Sequence, residues 1–115
     1  VGIGSVAALE GNQGNSAYAA TKGAMLSYLR TLSVETAKRG ITVNYVAPGF
    51  IDTDMLAPYA NYREQMQKQI PAGRFARPED IAALVGFLVS PGAAYITGAV
   101  LPIDGGLTAT IAFQR

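Results

Sequence analysis

The chain has 115 residues, is 50% apolar and 15% charged, and carries a formal net charge of +1. That balance excludes a disordered acidic or basic tail and leaves no electrostatic footprint for nucleic acid. With no histidine and no cysteine, Ser-His-Asp triads, thiolate nucleophiles, disulfides and His- or Cys-ligated metals are excluded, and chemistry falls to Tyr, Lys, Ser, Asp, Glu, Arg or a cofactor.

Residues 1–5 (VGIGS) form a short apolar run that ends in small residues, like the end of a buried strand. Gly11, Asn12, Gly14 and Asn15 mark residues 6–15 as a loop. Ser16 is the expected N-cap of a long helix from Ala17 to Arg39. Ala20, Ala24, Ser27 and Thr31 give that helix a small-residue face, and Met25, Leu29 and Leu32 give it a larger apolar stripe. Lys38 and Arg39 suit the negative end of the helix dipole, and Gly40 is a good stop. Residues 41–47 (ITVNYVA) have the β-branched and aromatic content of a strand, closed by Pro48-Gly49.

Residues 50–77 make a long connection, rich in Met, Gln and Tyr, with a short helix expected near Tyr62 to Gln69. Connections of that length in a compact domain are usually functional or mobile. Pro78 sits well at the first position of a second helix, with Glu79 and Asp80 in its first turn and Ile81, Leu84, Val85 and Leu88 on its apolar face. Pro91-Gly92 ends it. Residues 99–103 (AVLPI) read as a last strand, followed by an Asp104-Gly105-Gly106 turn.

Strands alternating with helices imply an α/β fold with a parallel sheet and crossover helices. Parallel strands are normally covered on both faces. Three short strands with one or two helices would leave apolar area uncovered, so the expected architecture is part of a larger sheet. The apolar stretch from Ile81 to Val89 is far shorter than a membrane span. Residues 1–5 lack the basic and long apolar regions of a signal peptide. A cytoplasmic protein without membrane or nucleic-acid partners is expected.

Tyr18 and Lys22 form Tyr-x-x-x-Lys, one turn apart on one face of the long helix. Ser5 ends the preceding strand and can return beside the helix start through the intervening loop. Tyrosine ionises near pH ~10 and is a poor acid–base group at neutral pH, but a neighbouring ammonium favours the phenolate. A tyrosine so placed can donate a proton to a carbonyl oxygen as a hydride arrives, or accept one in reverse. A serine hydroxyl can hold the same oxygen. No histidine is needed. An isolated Tyr-x-x-x-Lys is usually no more than a helix-surface pair. Here it is accompanied by Ser5, by Pro48-Gly49-Phe50-Ile51-Asp52-Thr53, and by Tyr95-Ile96-Thr97-Gly98 ahead of Asp104-Gly105-Gly106.

With those motifs in that order, nearly the whole chain resembles the C-terminal half of a short-chain dehydrogenase/reductase, nearest to the 3-oxoacyl-[acyl-carrier-protein] reductases. Asn44 to Gly49 and Gly73 to Ala82 fit the same pattern. The resemblance implies a Rossmann-type doubly wound sheet, with residues 1–115 as its C-terminal catalytic half and the N-terminal cofactor-binding half outside the sequence. It implies hydride transfer between NADP (or NAD) and a carbonyl or secondary alcohol, with 3-oxoacyl thioesters as the leading substrate class. Ser5 would polarise the carbonyl and Tyr18 would be the general acid/base. Lys22 would bind the nicotinamide ribose and favour the Tyr18 phenolate. Pro48, Gly49, Ile51 and Thr53 would line the nicotinamide, with Ile51 backbone groups meeting its carboxamide. Arg39 occupies the place of a basic residue that docks acyl carrier protein in similar reductases, although a helix C-terminal charge explains it equally. A homo-oligomer, commonly a tetramer, is implied as well. The alternatives are another alcohol, sugar or steroid dehydrogenase, and a catalytically incomplete dimerising module.

The family's glycine-rich phosphate loop, Asn-Ala-Gly segment and upstream asparagine are not among these residues. Gly2 to Ala7 satisfies G-x-G-x-x-A formally, but almost no strand precedes it and loop residues follow where a helix should begin. Asn12 and Asn15 read as turn residues, with lining of the substrate mouth as the lesser reading. Met55, Tyr59, Tyr62 and Met66 lie in the long connection, which is a substrate lid in this family. Arg74 and Arg77 are expected to fix that connection by hydrogen bonds. Residues 107–115 are apolar enough to suggest contact with a neighbouring subunit.

Overall fold

The computed structural model describes residues 1–111. Three parallel strands form one sheet in the order β1 (Gly2–Ile3), β2 (Tyr45–Pro48), β3 (Val100–Ile103). Tyr45 stands level with Gly2 on one side and Val100 on the other, and Pro48 with Ile103. Helices α1 (Ser16–Thr36), α2 (Arg63–Lys68) and α3 (Pro78–Leu88) occupy the connections. The α/β class and the parallel sheet agree with the alternation of elements in the sequence.

The core sits on β2, the strand paired along both edges. All four of its residues are buried, joined by Val43 from the approach to the strand and by Ile70, Phe75, Leu88 and Ala93 from the connections. Met25, Leu29 and Leu32 of α1 are half-buried, whereas Ala20, Ala24, Ser27 and Thr31 are open to solvent. The small-residue face therefore packs on nothing within residues 1–111. Neither edge strand is fully covered, and Ile3 of β1 is largely exposed.

Two boundaries differ from expectation. Ser16 is not the N-cap of α1. The Asn15 carbonyl accepts the first helical bond, from the Ala19 amide at 2.8 Å, which makes Asn15 the cap and Ser16 the first helical residue. The strand expected over residues 41–47 is reduced to Tyr45–Pro48. The Val43 amide donates to the Thr97 hydroxyl. The Asn44 side chain donates to the Ile96 carbonyl and accepts from the Ala99 amide. These side-chain bonds join two backbone ones, from the Gly98 amide to the Val43 carbonyl and from the Gly2 amide to the Asn44 carbonyl, in holding residues 43 and 44 in place.

α1 tightens into a 3-10 turn over Ala37–Arg39 and stops at Gly40, whose φ is 74°. In the long connection, a 3-10 stretch (Asp54–Tyr62) interrupted at Tyr59 precedes α2. The connection is pinned at its base, where the Asp52 amide donates to the Ala76 carbonyl and the Ala76 amide to the Phe50 carbonyl. The Arg63 guanidinium stacks 4.4 Å over the Phe75 ring and pairs with Asp52 at 2.9 Å. Asp80 holds the start of α3. Its carboxylate accepts from the Arg77 amide at 2.8 Å and from the Arg74 guanidinium at 3.0 Å. Arg74 and Arg77 thus fix the connection, as their positions suggest. No helix among the described residues is long and apolar enough to cross a membrane.

Candidate active site

In a parallel sheet every strand points the same way, so the segments that leave the strands gather at one end, where α/β proteins place their ligands. Here a cleft of about 390 Å³ opens at that end. It is lined by Ser5, just past β1, by Gly49 and Phe50, just past β2, and by Leu107 and Thr108, past β3. Tyr18 enters from the first turn of α1, and Asn12 and Asn15 line the rim while also building the turn before the helix. Gln69, at the end of α2, reaches the cleft from the long connection.

Ser5 is N-cap of a 3-10 turn over Val6–Ala8, and its Oγ accepts from the Ala7 amide at 3.0 Å. That bond uses a lone pair and leaves the hydroxyl proton available to a ligand oxygen. The same short turn confirms that Gly2 to Ala7 is not a dinucleotide loop leading into a helix. Tyr18 is 38% exposed. The Lys22 ammonium lies 5.6 Å from the centre of its ring, within cation–π range. Thus Ser5 and Tyr18 share the cleft, and Lys22 stands beside Tyr18 on the neighbouring turn.

The segment after β2 divides. Gly49 lines the cleft, while Pro48 is buried as the last residue of β2. A Cβ on Gly49 would sit 2.8 Å from Asp104 Cβ and 3.1 Å from its Cα, so only glycine lets the two strand ends approach this closely. Ile51 is level with Ala76, but the bridge there uses the Phe50 carbonyl and the Asp52 amide. Ile51's own amide and carbonyl take no part in that pairing. Thr53 is exposed at the start of the 3-10 stretch, away from the cleft lining. Arg39 is exposed at the far end of α1. Of the residues of the long connection, Met55, Tyr59 and Tyr62 are exposed and Met66 is half-buried. Residues 107–111 run past the cleft, and 112–115 of the expected subunit-contact segment lie outside the described residues.

Asp104, just past β3, holds the cleft residue Thr108. Burial pushes its carboxyl upward, but the Thr108 hydroxyl and amide and the Gly106 amide all donate to it, and the net result is below the ordinary carboxylate range. Asp80 is also held low, by the Arg77 amide first and then the Arg74 guanidinium. Among the described residues, no group of His, Cys, Asp and Glu side chains could hold a metal ion.

The spacing of the motifs gives no notice of Tyr45. It is 1% exposed, and its hydroxyl accepts from the Ser5 amide at 3.1 Å and donates to the Lys22 carbonyl at 3.0 Å. The available signal was a tyrosine in an otherwise aliphatic buried strand, whose hydroxyl must find partners.

Comparison with known proteins adds lineage to this geometry. A family model described as Enoyl-(Acyl carrier protein) reductase matches residues 1–108. The chain is 51% identical to the 3-oxoacyl-[acyl-carrier-protein] reductase of Pseudomonas aeruginosa over 93% of its own length and 44% of that protein's. It is 48% identical to the mouse 3-oxoacyl-[acyl-carrier-protein] reductase, over 96% of the chain and 45% of the relative. The chain therefore spans less than half the length of these curated relatives. Among solved structures, an NAD(P)-dependent protein from Beutenbergia cavernae assigned as a gluconate 5-dehydrogenase, with NADP bound at low occupancy, superposes with a TM-score of 0.90 at 39% identity, covering 94% of this chain and 45% of the other. A short-chain dehydrogenase/reductase family oxidoreductase from Burkholderia thailandensis gives 0.85 at 39% identity, covering 94% and 43%.

Proposed function

Since the chain belongs to the short-chain dehydrogenase/reductase family, we propose that it is the C-terminal catalytic half of a single Rossmann-type NAD(P)-binding domain and that the whole enzyme reduces 3-oxoacyl thioesters to 3-hydroxyacyl thioesters in fatty acid synthesis. The observation that carries the reading is the convergence of Ser5 and Tyr18 on one cleft at the carboxyl ends of three parallel strands, with Lys22 against Tyr18.

The side chains divide the work by their chemistry. NADPH supplies the hydride when bound. Tyr18 donates a proton to the carbonyl oxygen, and Ser5 donates a hydrogen bond to the same oxygen and stabilises its developing charge. Lys22, 5.6 Å from the centre of the Tyr18 ring, would hold the nicotinamide ribose. Gly49 and Pro48 shape the surface for the nicotinamide ring. Ile51 fits the carboxamide because its amide and carbonyl are left out of the bridge to Ala76. Thr53, exposed outside the cleft lining, has no support from this geometry as part of that strip. The family favours NADPH in this branch, and NADP is the ligand in two structural relatives. The connection carrying Met55, Tyr59, Tyr62 and Met66 serves as a lid over the substrate. Acyl carrier protein docks at Arg39, the enzyme works in the cytoplasm, and it assembles as a homo-tetramer.

Tyr18→Phe tests the assignment in the full-length enzyme. With NADPH and an acetoacetyl thioester, turnover should fall by roughly 10²-fold or more, while cofactor binding is retained. Full activity in this variant would refute the assignment. A sugar dehydrogenase is the second reading, favoured by the gluconate 5-dehydrogenase likeness. The first is preferred because the thioester-reducing relatives share more identical residues with the chain. Higher kcat/KM for a sugar alcohol than for the thioester would reverse that preference.

A further inference from the structure

A tyrosine buried in a strand contributes area, and its hydroxyl must also be satisfied or it destabilises the core. Tyr45 meets both conditions in an unusual way. Its hydroxyl has one proton to give and lone pairs to accept with. It gives the proton to the Lys22 carbonyl and accepts the Ser5 amide, at 3.0 and 3.1 Å. Those two backbone groups belong to different elements. Ser5 lies on the loop just past β1, beyond the last ladder bond from the Gly4 amide to the Val46 carbonyl. Lys22 lies on α1, one turn from Tyr18. The ring reaches both because Gly4 has no side chain. A Cβ there would overlap the Tyr45 ring and hydroxyl.

We infer that Tyr45 is a positioning residue, a strut whose hydroxyl sets Ser5 at the correct separation from the Tyr18–Lys22 turn, with Gly4 as its obligatory clearance. Tyr45 does not line the cleft and acts only through the groups it spaces. This inference rests on the roles proposed above for Ser5, Tyr18 and Lys22. The strut ties the carbonyl-holding group to the proton donor through two hydrogen bonds and one rigid ring. Preorganisation of that kind acts on the chemical step more than on ground-state binding.

Tyr45→Phe keeps the ring and deletes the strut's end. In the full-length enzyme kcat should fall about tenfold, with KM for thioester and NADPH changed less than about twofold. Exchange of the Ser5 amide hydrogen should accelerate about tenfold on loss of its acceptor. Gly4→Ala should lower kcat at least as far, because the ring must leave its place. The same change in a Tyr45→Val background should cost little more, since the obstruction is gone. Unchanged kcat with only a lower Tm would make Tyr45 a packing residue and overturn the inference. So would an unaltered Ser5 exchange rate, or additive effects of the Gly4 and Tyr45 substitutions. The two readings fail separately. Absence of any NADPH-linked turnover in the wild type, or full activity of Tyr18→Phe, rejects the proposed activity. The exchange measurement judges the strut without reference to turnover.

Discussion

Ser5 carries two duties. Its Oγ accepts from the Ala7 amide and so caps the turn over Val6–Ala8, while its hydroxyl proton is left free at a residue that lines the cleft. Ser5→Ala removes both. Loss of a hydrogen-bond donor to a developing oxyanion should lower kcat by about 10²- to 10³-fold, measured with the thioester substrate. Loss of the cap should lower Tm only slightly. Ser5→Thr, which can keep the cap bond, should retain most of the Tm. Gly49 behaves differently. Gly49→Ala brings a methyl group against the Asp104 backbone, which cannot swing aside as a side chain would. Destabilisation of about 1–3 kcal/mol is expected, read as a lower urea midpoint. Wild-type stability in that variant would mean that the two strand ends are looser than they stand here.

At the scale of elements, the turn after β3 should respond to acid. Asp104 sits below the ordinary carboxylate range in the folded protein because Thr108 and Gly106 donate to its charged form, outweighing the opposite effect of burial. A lowered folded value means that the folded state binds fewer protons than the unfolded one. The contribution of Asp104 is therefore complete above the unfolded value of about 3.9, and it is lost as pH falls through the lower folded value. Thr108→Val deletes one donor, raises the folded value and should shrink this contribution. A smaller difference in stability between pH 6 and pH 3 is the expected result. An unchanged pH dependence would mean that the Thr108 hydroxyl bond carries no weight. Asp80 has the same sign of dependence at the start of α3, from the Arg77 amide and the Arg74 guanidinium.

The elements also show what could be read in advance. Pro78-Glu79-Asp80 opens a helix and Gly40 closes one for purely local reasons, and both signals stand in the structure. The alternation of elements carried the parallel sheet, and Tyr-x-x-x-Lys with Ser5 carried the heart of the cleft. The start of β2 was not legible. Asn44 uses its side-chain amide on residues 52 and 55 positions away, and no local pattern announces such partners. The 3-10 stretch over Asp54–Tyr62 has Pro58 within it and a break at Tyr59, so it offers no steady helical period. The Tyr45 strut depends on Gly4 and Lys22 meeting in space, which only the fold decides.

For the molecule as a whole, the core is narrow. The radius of gyration is 15.2 Å and the longest dimension 48 Å, against roughly 13 Å for a compact domain of this length. Tyr28 and Val34 of α1 are 65% and 79% exposed, and Tyr95 and Val89 are as open. Apolar side chains left this open, beside so small a core, leave little burial to hold the described residues together. The 115-residue chain by itself should therefore unfold over a broad thermal range and bind a hydrophobic dye. Isothermal titration with NADPH should show no useful binding, because no glycine-rich loop leads into a helix N-terminus that would hold the pyrophosphate among the described residues. Tight binding by this polypeptide would contradict the proposed division into halves. Light scattering of the full-length enzyme should report a tetramer.

The bridge between Ile51 and Ala76 has a consequence for variation. It brings the two ends of the excursion over residues 52–75 side by side, so the excursion is a closed loop hung on a fixed hinge point. For such a loop the entropy of closure grows only with the logarithm of length, and doubling the length adds about 0.6 kcal/mol. Within it, the largely exposed stretch over residues 53–62 can lengthen or shorten at little cost to the sheet, provided that Ile70 and Phe75 keep their places in the core. Only that outer stretch is therefore exchangeable: its length and composition can drift while Ile70, Phe75 and the strands stay where they are.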